Sequence, residues 1–225
     1  MIRVVTFDAA GTLIRLLQPP GVIYAEEARL FGYILDPVRL QGAFRSTWKT
    51  FAPPPESATP CSDDDREWWR RLVVKTMEEA RYRIIPFDDY FSTVYRAFAR
   101  PGVWELLPDV PVILTELRRL GIRLGVISNF DRRLYEILTG LGVIDAFEHI
   151  VISSEIGVRK PAARIFQVAA RRFNVETPEM LHVGDEDGAD LRGARAAGLN
   201  ALLVDHEVSR LSSIVSCLSG EADSR

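Results

Sequence analysis

Lysine is nearly missing from this chain. Among 28 basic residues only three are lysines, Lys49, Lys75 and Lys160, and all the others are arginine. A residue used so rarely has to be placed each time it occurs. Cysteine is scarce too: Cys61 and Cys217 form neither a disulfide framework nor a C-x-x-C pair. The histidines, His149, His182 and His206, lack the spacing of a zinc-protease helix. No apolar run approaches the length of a membrane span, so no membrane partner is expected. The net charge of -3 and pI of about 5.7 offer no basic field, which argues against nucleic acid as a partner. The chain begins directly on a strand and shows no signal-peptide pattern, so a cytoplasmic protein is expected. What remains is a 225-residue chain, 47% hydrophobic, with room for one large domain or a core plus an insert.

The first stretch, MIRVVTFDAAGTL, organises the rest. Ile2, Val4, Val5 and Phe7 form an apolar, partly β-branched run that stops at Asp8, followed by Ala9, Ala10, Gly11 and Thr12. Such a run reads as a buried parallel strand with a reactive group at its C-terminal end, where open α/β sheets keep their ligand crevice. A polar turn after a core strand is the plainer alternative, since Asp and Gly are common turn residues.

Ile14 to Pro20 then reads as a linker ending in a Pro-Pro-Gly break. Helical spacing follows over Val22–Phe31, from Asp36-Pro37 through Trp48, through Trp68 to Met77, and over Phe87–Phe98. Ser62 and Asp63 are expected to cap the third of these, after a Pro- and Ser-rich loop from Pro53 to Ser62. That loop and the paired Trp68 and Trp69 could shape substrate entry, but packing within the helices is the favoured reading of the tryptophans. Gly21 to about Pro101 is therefore an all-helical module inserted after a single strand.

From Leu107 strands and helices alternate. Helices are predicted over Val110–Leu120, Leu134–Leu141, Pro161–Phe173 (with Pro161 in the first turn) and Ala189–Ala197. Strands are predicted at Arg123–Ile127, His149–Ile152, Met180–Val183 and Ala201–Val204. The tail after Leu218 is expected to fray. Connections this short imply an α/β fold with a doubly wound parallel sheet. The boundaries are then 1–16 and 105–225 for the core and 17–104 for the helical insert.

On a parallel sheet four polar sites would share one rim: Asp8 and Thr12; Ser128 and Asn129; Lys160; Asp185 and Asp190. Each alone could be a cap or a turn. Together they suit phosphoryl transfer. Asp8 would be a nucleophile forming an acyl phosphate. Asp8 and Asp185 would hold one Mg²⁺, a hard cation that takes oxygen ligands. Ser128 and the backbone after it would donate to phosphate oxygens, and Lys160 would set positive charge where negative charge develops. Asp190 would stand behind them, orienting Lys160 or a metal-bound water.

The stretches FDAAGTL, VISNFD, RKP and VGDEDGAD resemble the four ordered motifs of the haloacid dehalogenase-like (HAD) hydrolase superfamily. ISNFDRRL, SSEIG and LHVGD look most like the branch named haloacid dehalogenase-like hydrolase domain-containing proteins. The resemblance covers essentially the whole chain. It implies a Rossmann-like core with an inserted, mobile helical cap domain and Mg²⁺ as cofactor. It makes Asp8 the nucleophile and a metal ligand, and Asp185 the second metal carboxylate. Position 10 would bind the metal through its backbone carbonyl, and Thr12, Ser128, Asn129 and Lys160 would lie on the substrate side. The expected substrate is a small phosphorylated metabolite, handled by a monomer or weak homodimer.

One position departs from the pattern. The family's phosphatases carry aspartate two residues after the nucleophile, as general acid and base, and here that residue is Ala10. Such proton transfer is worth about 10²–10⁴-fold in rate. Asp131 or an acid from the cap could substitute. Two readings besides a slow phosphatase follow. One is carbon–phosphorus cleavage like that of phosphonoacetaldehyde hydrolases, which resemble this chain at DxAGT and need a cap lysine, Lys49 or Lys75. The other is a binding protein for phosphorylated ligands that does not turn over. Carbon–halogen cleavage fits less well, because Gly184-Asp185 looks like a metal motif.

Overall fold

The computed structural model describes residues 1–57, 59, 64–204 and 214. In chain order its elements are β1 (Val4–Phe7), β2 (Ile14–Leu16), α1 (Pro20–Arg29), α2 (Pro37–Thr50), α3 (Arg66–Glu79) and α4 (Phe87–Ala97). They continue with β3 (Trp104–Leu106), α5 (Val110–Arg119), β4 (Arg123–Ser128), α6 (Arg133–Gly140), β5 (His149–Ile152), α7 (Ser153–Ile156) and α8 (Ala163–Phe173). The described chain closes with β6 (Met180–Gly184), a π-helical turn at Asp187–Arg192, α9 (Gly193–Ala196) and β7 (Asn200–Leu203).

Five strands form one sheet in the order β5-β4-β1-β6-β7, and every neighbouring pair is parallel. The chain runs outward from β1 to β4 and β5, then returns past β1 to β6 and β7. The order reverses between β1 and β6, and open α/β sheets place their ligand crevice at such a switch point. β1 is buried along its whole length, as a strand covered on both faces must be. Alternation sends Val4, Thr6 and Asp8 to one face and Val5 and Phe7 to the other. The first face packs under α8, where Val4, Ile127, Val151 and Met180 meet Ile165, Phe166, Ala169 and Phe173. Gly125 is glycine for that packing: a Cβ there would lie 2.7 Å from the Phe173 ring.

The chain divides into two units. One comprises Met1–Arg15, Glu56–Cys61 and Glu105–Arg225; the other comprises Leu16–Pro55 and Ser62–Trp104. The second unit holds α1 to α4 around an aromatic-rich core of Tyr24, Leu40, Val73, Met77, Tyr90, Phe91 and Val94. The Tyr90 hydroxyl, buried there, donates to the Tyr24 carbonyl at 3.1 Å. Asp36 caps α2 by accepting from the Val38 N–H at 2.9 Å. Trp68 is buried, meets Trp69 edge to face at 4.8 Å and donates its indole N–H to the Ala52 carbonyl at 2.8 Å. Both tryptophans are packing residues of this unit.

The structure corrects the sequence expectations at four places. Ile14 to Pro20 opens with β2 instead of a plain linker, so the helical insert does not follow a single strand. β2 pairs with β3 far down the chain, Leu107 N–H to Leu13 O and Leu17 N–H to Val103 O, and no local signal announces that partner. Pro161 precedes α8 instead of opening it, because the chain first turns from Arg159 to Ala162. Ala189–Ala197 is not one helix but the π-helical turn followed by α9. The Asp190 and Leu191 N–H groups both donate to the Glu186 carbonyl, which widens the turn. The short α7 had no periodic pattern to announce it. The residue ahead of α3 is Asp65; the expected caps Ser62 and Asp63 lie outside the described residues, as do Cys61, Cys217, His206 and the tail after Leu218.

Candidate active site

The C-terminal ends of β1, β4 and β6 and the loop before α8 form one rim. The Asp8 N–H donates to the Val183 carbonyl at 2.8 Å, which carries the strand geometry one residue past β1 and fixes the carboxylate. The chain then turns tightly, with the N–H groups of Thr12, Leu13 and Ile14 converging on the Ala9 carbonyl. Gly11 sits in this turn at φ +94°, and a Cβ there would stand 2.3 Å from Asp185 Oδ2. Glycine therefore serves both the backbone conformation and the approach of the second carboxylate. Ala10 stands exposed between them and brings only a methyl group.

Lys160 is buried, and its ammonium lies 2.6 Å from Asp8 Oδ1 and 2.6 Å from Asp190 Oδ1. Burial works against its charge, but Asp8 and Asp190 outweigh it and hold its pKa above the ordinary lysine value. Asp190 is also buried. Its Oδ1 accepts from His182 Nε2 at 3.0 Å and its Oδ2 from the Glu186 N–H at 3.0 Å. Burial alone would raise Asp190; the bonds from His182 and Lys160 prevail and hold its carboxyl well below the ordinary range. Gly184 makes room for that carboxylate, since a Cβ there would fall 2.2 Å from Asp190 Cγ.

Asp185 lies at the open side of the rim. Its Oδ1 accepts from the Thr12 hydroxyl at 3.1 Å, and crowding around the carboxyl, then the negative charge of Asp8, pushes its pKa upward. A carboxyl raised by a neighbouring carboxylate marks negative charge that a cation would balance. Carboxylate oxygens of Asp8, Asp185 and Asp190 lie within 4.8 Å of one another. With Asp190 already taken by Lys160, His182 and Glu186, Asp8 and Asp185 are the pair open to an ion. All-oxygen, anionic donors suit a hard divalent cation.

Ser128 closes β4 and is buried, and among the described residues its hydroxyl has no hydrogen-bond partner. A buried polar group left unmet costs about 1–3 kcal/mol, which an oxyanion at the rim would relieve. The side chains of Thr12 and Asn129, both expected on the substrate side, make hydrogen bonds within the protein. Thr12 is fully buried and braces Asp185, while Asn129 accepts from the Lys160 N–H at 2.7 Å and donates to the Lys160 carbonyl at 3.1 Å. Asn129 thus clamps the Lys160 loop. Asp131 is not available to replace the missing acid: Arg133 Nε and Nη2 engage its two oxygens at 2.8 and 2.5 Å in the interior. Lys49 is exposed on α2, and Lys75 is exposed and paired with Glu78, so neither has the desolvation that a Schiff-base lysine needs.

Sequence reasoning passed over Thr6 and His182. Their one visible signal is a polar residue interrupting each of two apolar strands, at positions that turn out to be register partners. The partner that occupies Asp131, Arg133, stands only two residues on, and that D-x-R spacing is the signal that could have found it.

A sequence model of the haloacid dehalogenase-like hydrolases matches residues 2–198. The chain belongs to that family. It is similar to the human haloacid dehalogenase-like hydrolase domain-containing protein 3, with 36% identity over 208 residues, 90% of this chain and 82% of the relative. Among solved structures, this HAD hydrolase is similar to the putative HAD-hydrolase YfnB from Bacillus subtilis bound to magnesium, with TM-score 0.73 and 18% identity, covering 97% and 99% of the two chains. It is also similar to a 2-haloacid dehalogenase from Pseudomonas syringae, with TM-score 0.65 and 24% identity over 99% and 100%. These likenesses concern the fold, and the chemistry lies in the residues of the rim. Among the described residues, no helix is long and apolar enough to cross a membrane.

Proposed function

We propose that this HAD hydrolase cleaves small phosphate monoesters through an aspartyl-phosphate on Asp8, with one Mg²⁺ held by Asp8, Asp185 and the backbone carbonyl of Ala10. The observation that carries the reading is the buried Lys160 ammonium, 2.6 Å from Asp8, with the buried Ser128 hydroxyl closing the neighbouring strand β4. A carboxylate held by a fixed cation, with an unmet donor at the end of the adjacent strand, suits an incoming anion that Asp8 attacks in line. The Asp8 oxygen forms the new bond to phosphorus as the ester oxygen leaves. Lys160 and Ser128 face the charge that develops on the phosphoryl oxygens. Thr12 holds Asp185, and Asn129 holds the Lys160 loop, so that neither group moves during the step. When bound, Mg²⁺ supplies the charge neutralisation that lets an anionic nucleophile meet a phosphate dianion. The metal is supported by the open Asp8–Asp185 pair and by the raised pKa of Asp185.

No side chain at position 10 protonates the leaving oxygen, so turnover is slow for poor leaving groups. The enzyme works as a monomer or weak homodimer in the cytoplasm, without nucleic-acid or membrane partners. The test is turnover of p-nitrophenyl phosphate, with MgCl₂ or with EDTA, beside 2-chloropropionate as a haloacid. Mg²⁺-dependent release of nitrophenolate is expected. Chloride release, or phosphate binding with no turnover, overturns the reading in favour of a dehalogenase or a binding protein.

A further inference from the structure

Behind the rim, a row of buried side chains runs from the sheet to the nucleophile. Thr6 and His182 are register partners on β1 and β6, and both are fully buried. Thr6 Oγ1 lies 3.1 Å from His182 Nδ1, and His182 Nε2 lies 3.0 Å from Asp190 Oδ1. The same Asp190 oxygen accepts from Lys160, whose ammonium also holds Asp8. Phe166 meets the imidazole edge to face at 5.2 Å and leaves it little room to turn.

The chemistry fixes where the protons lie. An ionised carboxylate only accepts, so Nε2 must carry the hydrogen that faces Asp190. Burial lowers the pKa of His182 and favours its neutral ring, whose Nδ1 accepts the Thr6 hydroxyl hydrogen at 3.1 Å in preference to the Leu181 carbonyl at 3.5 Å. The order of donation is Thr6 to His182, His182 to Asp190, and Lys160 to both Asp190 and Asp8.

We propose that His182, locked in its Nε2–H tautomer by Thr6, is a positioning residue that tempers the pull of Asp190 on Lys160 and so keeps the ammonium shared with Asp8. Without the imidazole donor, Asp190 would carry more unbalanced negative charge and draw Lys160 away from the nucleophile. The consequence for rate rests on the phosphoryl-transfer reading; the positioning itself does not.

The scarcity of lysine supplies the reporter. With lysine-selective ¹⁵N labelling only Lys49, Lys75 and Lys160 contribute side-chain ammonium signals, and Lys160 alone of these is buried. Three variants are compared: His182→Phe, which fills the site without a donor; His182→Gln, which keeps an N–H at the matching position; and Thr6→Val. In the wild type, imidazole ¹⁵N spectra should show the Nε2–H tautomer. His182→Phe should move the Lys160 ammonium resonance while leaving Lys49 and Lys75 in place, and His182→Gln should return it toward the wild-type position. With p-nitrophenyl phosphate and Mg²⁺, His182→Phe should lower kcat at least tenfold with KM within threefold, and His182→Gln should recover most of the loss. An Nδ1–H tautomer, or an unmoved Lys160 signal in folded His182→Phe, overturns the proposal. If His182→Phe does not fold, Thr6→Val decides by the same resonance, with a shift supporting the proposal and none rejecting it. Wild-type protein with no turnover would reject the phosphatase reading alone, because the lysine and histidine spectra still decide the positioning.

Discussion

The two units bury different things. In the sheet unit the described interior holds Thr6, Asp8, Thr12, Ser128, Asp131, Arg133, Lys160, His182 and Asp190. Among the described residues of the helical unit the buried polar ones are Glu27, Thr47 and Thr76, and the interior is otherwise aliphatic and aromatic. Glu27 pairs with Arg100, and Thr76 donates to the Leu72 carbonyl one turn back, so each is met by a single partner. The polar residues of the sheet unit instead reach one another across strands and loops, and several converge on Asp8. Buried charges are costly unless paired and hydrogen-bonded, so a fold that gathers them at strand ends does so for chemistry more readily than for stability. The contrast predicts that damage to the sheet rim strikes function first, while damage to the helical interior strikes stability first.

The largest effect should come from Asp8→Asn. Loss of the nucleophile is expected to lower kcat by more than about 10³-fold, with the thermal midpoint little changed. Activity close to wild type would move the chemistry off Asp8. Lys160→Met should act on both sides of the comparison. Removing one partner of a buried ion pair costs about 3–5 kcal/mol, because Asp8 and Asp190 then lose their compensating charge.

That variant also has a pH signature. The depressed carboxyl of Asp190 adds stability above the unfolded aspartate value of about 3.9, lost as pH falls through the lower folded value. The raised Lys160 adds stability that is full below about 10.4 and lost as pH rises through its higher folded value. Urea unfolding across pH should therefore show the gap between wild type and Lys160→Met narrowing toward both extremes.

Trp68→Ala tests the helical side. Emptying a buried tryptophan site costs about 3–5 kcal/mol, read as a lower urea midpoint. Where the protein stays folded, the shift of the midpoint on adding Mg²⁺ should match that of the wild type. Asp185→Ala should do the reverse. At a metal concentration 100 times Kd, binding stabilises by about 2.7 kcal/mol. The variant should lose that increment and gain a little stability without metal, since a crowded carboxylate has gone. The smallest effect expected is a gain. Ala10→Asp should raise kcat for sugar phosphates by about tenfold, or about 1.4 kcal/mol, and much less for nitrophenyl phosphate, whose leaving group needs little proton help.

Much of this was legible in the residues. The apolar run before Asp8, the glycine and proline punctuation and the β-branched strands announced a parallel sheet, because hydrophobic alternation and backbone preference are local properties. The placing of polar residues at successive strand ends followed from strand direction alone. Contacts between distant residues were not legible. Thr6 meets His182 across two strands, and the Asn129 side chain holds the Lys160 loop 31 residues on; even the pairing of Asp131 with Arg133, two residues away, depends on how the loop folds.

By itself, then, the sequence determined the five strands of the parallel sheet, the polar residues at their ends and the helical insert, since period and turn chemistry are written residue by residue. Only the tertiary structure decided that β2 pairs with β3, that the segment before α9 opens into a π-helical turn, and that Thr6 and His182 stand behind Lys160. These depend on registers between segments far apart in the chain. A buried carboxylate selects its partners from whatever donors the fold delivers within hydrogen-bond reach, and no local pattern records that choice.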